Sequence, residues 1–87
     1  MEIKTVVLGN EYDSDLIERL KTVLLNMNPE LKERIEGIAG SQDFIEYKFV
    51  FNGKELIINI ETYVGISLKG PSKLVDSISN KVKANKL

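Results

Sequence analysis

Three clusters of side chains have the types and spacing to do chemistry. Glu11, Asp13 and Asp15 alternate as carboxylates do in a calcium loop, where several oxygens converge on one cation. The rest of that loop is missing, because Leu16 stands in place of the turn glycine and Thr22 in place of the bidentate glutamate. N-capping of a helix accounts for the same acids, so no metal site is expected. Lys69-Gly70-Pro71-Ser72-Lys73 runs from a strand end into a helix start. Backbone amides, a hydroxyl and two ammonium groups there could hold a phosphate or sulfate, which makes Lys69, Gly70, Ser72 and Lys73 a candidate anion site. The spacing matches neither the P-loop nor the dinucleotide fingerprint, and an ordinary strand-to-helix turn uses the same residues. Gly37-Ile38-Ala39-Gly40 spells the GxxG string with which KH domains clamp a nucleic-acid backbone. It lies after the second expected helix rather than between two helices, and Glu33, Glu36 and Asp43 beside it would repel phosphates.

Beyond these clusters the composition excludes more than it offers. The 87 residues contain no Cys, no His and no Trp. Thiol nucleophiles, disulfides, the usual zinc sites and histidine acid–base pairs are therefore ruled out. Nothing in the spacing of Ser, Thr, Tyr, Lys and the carboxylates singles out a nucleophile and its base. The chain is expected not to be an enzyme and to need no cofactor. Its length fits a single domain over residues 1–87, too small to bury a large core, and without disulfide or thiolate metal the available supplement is self-association. The apolar run near the N-terminus, Val6 to Leu8, is far short of a signal-peptide core, and no window approaches a membrane span, so a cytoplasmic location is expected. Charge is unevenly spread: residues 1–43 hold nine acids and five bases, residues 44–87 four acids and seven bases. The lysines at the end of the chain suit a helix C-terminus.

The elements that position these residues follow from periodicity. Residues 2–8 alternate as a strand, ended by Gly9-Asn10. Asp13, Ser14 and Asp15 offer N-caps, with Asp15 and Glu18 at capping-box spacing, for a helix bearing Leu16, Ile17, Leu20, Val23, Leu24 and Met27 on one stripe. Asn28-Pro29 closes it and predicts a second, shorter helix with Leu31, Ile35 and Ile38 at a period of 3.6. Asn52-Gly53 between alternating runs predicts a type I′ hairpin that sets Phe49 opposite Leu56, Tyr47 opposite Ile58 and Ile45 opposite Ile60. Alternation from Lys54 to Leu68 would make a strand about 50 Å long, against a domain diameter of about 30 Å. The run must therefore bend or break, at Gly65 or within Glu61-Thr62-Tyr63, and its second half is expected beside the first strand. A last helix follows Pro71, with Leu74, Val75, Ile78 and Val82 inward.

The predicted fold is α+β, a two-layer sandwich in the order β-α-(short α)-β-β-α, with a small antiparallel sheet of three or four strands and helices on one face. Phe44, Val50, Ile57 and Tyr63 should then point away from the helices among charged neighbours, the composition of a protein contact. The function expected is a small interaction or regulatory domain that binds protein, forming a homodimer through this outer sheet face. The alternative is a nucleic-acid-associated module using Lys69, Lys73, Lys81, Lys83 and Lys86.

Overall fold

The computed structural model describes residues 2–10, 12–39 and 42–84. Strand β1 (Ile3–Gly9) leads into helix α1 (Ser14–Met27). Of the three candidate caps, Asp13 is the one used: its carboxylate accepts from the Leu16 amide at 3.1 Å, and its carbonyl accepts from Ile17. Asp15 instead reaches forward to Arg19, at 3.4 Å. The helix ends at Asn28, which takes the left-handed conformation at φ 50° and donates its backbone N–H to the Leu24 carbonyl. Replacing Asp13 with Ala should lower stability by about 1 kcal/mol, and a urea titration followed by far-UV circular dichroism would show it as an earlier midpoint with unchanged slope.

The short second helix expected after Asn28-Pro29, ending near Gly37 or Gly40, is not formed. Residues Glu30–Ala39 are strand β2, paired antiparallel with β3 (Gln42–Phe51). The register shifts between Leu31 and Glu33, so a bulge at Lys32 moves the alternation by one residue. Leu31 and Ile38 then fall on one face and Ile35 on the other. A strict period of two is lost, and the spacing 31, 35, 38 imitates a helix. Asn28 caps the end of α1 rather than the start of another helix. Gly40-Ser41, which lies outside the described residues, spells a two-residue hairpin signal between β2 and β3.

The other hairpin has the register the sequence implied. Strand β4 (Lys54–Glu61) pairs with β3 through Phe49 opposite Leu56, Tyr47 opposite Ile58 and Ile45 opposite Ile60. Asn52 at φ 50° and Gly53 at φ 82° supply the two positive φ angles of a type I′ turn. The long alternating run breaks after Glu61, where the Val64 amide donates to the Glu61 carbonyl and the Thr62 amide and hydroxyl both donate to the Asp43 carbonyl. Strand β5 (Gly65–Pro71) then returns beside both β4 and β1, and helix α2 (Ser72–Ala84) completes the described chain.

The described strands form one antiparallel sheet of five in the order β1-β5-β4-β3-β2. That is more strands than expected, because the second helix became a strand. With a longest dimension of 35 Å the domain is shorter than the unbroken run would have been. Both described helices bury their stripes on one side: Leu16, Leu20 and Val23 of α1 and Val75, Ile78 and Val82 of α2 join Leu56, Ile58, Ile66 and Leu68 of the sheet in one core. Helix α2 lies over β1 and β5, and α1 lies against α2. Lys4 on the helix side of β1 bonds Asp76 at 2.7 Å, and Arg19 of α1 reaches the Val82 carbonyl at 3.4 Å. These half-exposed links orient the helices more than they stabilise them.

Candidate interaction surfaces

Cross-strand rows on the helix side of the sheet run from covered to bare. In one row Leu56 is 0% exposed, Phe49 is half-buried and Leu31 is 51% exposed. In the next, Leu68 and Ile58 are buried, Tyr47 is half-buried and Arg34 is exposed. In the third, Ile66 is buried, Ile60 and Ile45 are half-buried and Glu36 is exposed. The helix layer thus thins out beyond β4: the helix side of β3 is half covered, with Tyr47 and Phe49 packed against the core, and that of β2 is left to solvent. Ile38, at the far end of β2, is 74% exposed, and Leu25, on the side of α1 nearest this area, is 79% exposed. A shallow groove of about 320 Å³ beside Leu25 is lined by Leu24, Leu25, Pro29 and Phe49, at the end of β2 opposite Ile38.

The middle of this bare face is polar but internally satisfied. The Arg34 guanidinium donates to Glu36 at 2.9 Å and lies over the Tyr47 ring, 5.7 Å from its centroid. Tyr47 and then Glu36 hold Arg34 above its ordinary pKa, so it is a cation at any working pH. Tyr47 in turn stacks on Phe49 with ring centroids 6.2 Å apart. An Arg–aromatic centre flanked by Leu31 and Ile38 has the residue types that contact surfaces favour.

The residues expected to form an outer-face patch are placed differently. Phe44, Val50 and Ile57 do lie on the side away from the helices, each half-buried, but the register separates them. Ile57 sits between Lys48 and Lys69, Val50 between Glu30 and Glu55, and Phe44 between Gly37 and Glu61. The central row, Val7-Ser67-Asn59-Glu46-Ile35, is polar at its middle, with the Asn59 Oδ1 buried and without a hydrogen-bond partner among the described residues. Tyr63 is in the β4–β5 turn at φ 70°, 80% exposed, and not on the sheet.

The expected anion residues are also divided. Lys69 pairs with Thr5 and Ile57 and therefore faces the outer side, whereas Gly70 is packed beneath the backbone of Glu55 and Leu56. Ser72 and Lys73 open α2, and the Ser72 amide donates to the Glu2 carbonyl. Lys73 and Lys81 line a groove with Lys54, while Lys83 is exposed elsewhere on α2; Lys86 lies outside the described residues. The basic end of the chain is thus spread over several surfaces rather than one stripe. Asp13 of the alternating acids is occupied as a helix cap, and Glu11 lies outside the described residues. Among the described residues no helix is long and apolar enough to cross a membrane.

No family model, curated protein or solved structure matches the chain. The Leu25–Leu31–Ile38 area was not legible as a surface in the sequence, since Leu31 and Ile38 read there as the inward stripe of a helix. The available signal was Gly40-Ser41, which would have made 30–39 and 42–51 a hairpin and β2 an edge.

Proposed function

We propose that the protein is a small interaction module without catalytic chemistry of its own, and that it pairs with a second copy through the bare helix-side face of β2 and β3. The observation that carries this reading is the rise in exposure along the row Leu56, Phe49, Leu31, from 0% to 51%, on the side of the sheet that elsewhere forms the core. Leaving such a strip in water costs about 25 cal/mol per Å² of apolar area. A twofold contact lets the same strip cover itself, because the patch is isologous and needs no second surface. The outer face supports the reading less well, since its apolar residues alternate with charge. Edge-to-edge pairing through β2 is opposed by Glu30, Lys32, Glu33, Arg34 and Glu36 and by the bulge at Lys32, which are devices that keep an edge strand from pairing.

A dilution series of amide spectra locates the contact. The expected result is concentration-dependent shifts at Leu25, Leu31, Ile38, Ile45 and Phe49, with Ile57, Asn59 and Lys69 unmoved. Shifts confined to Ile57 and Lys69 would move the contact to the outer face. Identical spectra at all concentrations would remove self-association altogether.

A further inference from the structure

Of the lysines and arginines among the described residues, Lys4, Arg19, Lys21, Lys32, Arg34 and Lys48 each have a carboxylate partner within 4 Å. Lys54, Lys69, Lys73, Lys81 and Lys83 have none among the described residues. Three of these five, Lys54, Lys73 and Lys81, line one groove of about 580 Å³ between the end of α1, the β3–β4 turn and α2, and among the described residues no carboxylate lines it with them. The size lies within the range of small-molecule sites. The chain is acidic overall, with a net charge of −1, so a groove walled by three unpaired cations is not a consequence of composition.

Lys73 adds a second argument. It stands in the first turn of α2, which has no acidic residue there. The helix dipole disfavours a cation at that end and favours an anion. Lys81 is in the last turn, where the dipole accounts for it; Lys73 is explained by no such local electrostatics. An anion in this groove would face Lys73 and Lys54, whereas the first residue of α2, Ser72, opens onto a neighbouring hollow that Glu2 lines beside the same two lysines. Lys81 is eight residues on, about 12 Å along the helix axis, too far to share one phosphate with Lys73 but within reach of the other end of an extended ligand.

The remaining walls are of two kinds. Phe51 and Leu74 offer an apolar floor, while Asn26 and Asn52 offer side-chain amides that make no hydrogen bond among the described residues. We propose that this groove binds a nucleotide, with its phosphates at Lys73 and Lys54 and its base over the apolar floor toward Lys81. The shared chemistry of free nucleotides and single-stranded nucleic acid is the phosphate–ring pair. The confinement of the groove to one side of α2 favours the free ligand.

The test is an amide-detected titration of the full chain with adenosine triphosphate in the presence of a chelator, beside adenosine, tripolyphosphate and a single-stranded oligonucleotide. Saturable shifts at Asn26, Asn52, Lys73 and Leu74 are expected with the nucleotide, weaker ones with tripolyphosphate and none with adenosine. Lys73→Gln should weaken nucleotide binding about tenfold, and Lys54→Gln similarly, while Lys69→Gln leaves it unchanged. The absence of shifts at millimolar nucleotide would overturn the proposal. So would tripolyphosphate binding as tightly as the nucleotide, or equal weakening by Lys69→Gln, since either shows attraction by net charge alone. Oligonucleotide shifts that spread to Lys69 and Lys83 and exceed those of the nucleotide would overturn the confined small-ligand site.

Discussion

Replacing Gly65 with Ala is expected to destabilise the fold by about 3 kcal/mol or more. Gly65 opens β5 at φ 106°, outside the regions L-residues adopt readily. A Cβ built there would fall inside the Gly9 carbonyl oxygen, at the bulge where β1 pairs with β5. Two costs therefore coincide. The backbone must leave its conformation, and β1 must move away from the strand that holds it in the sheet. A domain of this length has about 4–13 kcal/mol of stability, so the variant loses a large share of it. Gly53→Ala separates the two effects. Gly53 also has a positive φ, 82°, but nothing lies within 4 Å of an added Cβ. That variant should cost only about 1 kcal/mol. Urea midpoints for the two variants should fall clearly in this order, and equal losses would show that backbone conformation alone decides.

What the sequence made legible was whatever short-range rules govern. The Asn52-Gly53 register was readable to the residue because turn type fixes pairing. The break after Glu61 was readable because a strand from Lys54 to Leu68 exceeds the size of the domain. The α1 stripe was readable because Leu16, Leu20 and Val23 repeat at helical spacing and meet the core. Strand β2 was not, and the physical reason is specific: one inserted residue at Lys32 shifts the alternation, so Leu31 and Ile38 share a face that a regular strand would not give them. The surfaces suffered from the same error. A helix after Pro29 would add a third cover to the inner face and leave the exposed apolar residues on the outer one. There the pairing of Ile57 with Lys48 and Lys69 breaks up the patch. The lysine groove needed tertiary information of a different sort, because Lys54 faces Lys73 and Lys81 across the groove between the β3–β4 turn and α2.

The second large effect concerns association. Placing Asp at both Leu31 and Ile38 puts two carboxylates into the bare helix-side face, where the second copy is proposed to sit. Truncating or charging central contact residues costs about 2–4 kcal/mol of binding, equivalent to a thirtyfold to thousandfold weaker dimer. Both side chains are more than half exposed, at 51% and 74%, so folding should change by no more than about 0.5 kcal/mol. Ile57→Glu on the outer face should leave the dimer intact.

Light scattering across a concentration series, on the wild type and on the Leu31→Asp/Ile38→Asp variant, tests this most directly. The expected result is a wild-type mass rising toward twice 9.8 kDa while the folded double variant stays at 9.8 kDa. A wild-type mass of 9.8 kDa throughout, or a double variant that associates as the wild type does, would contradict the account.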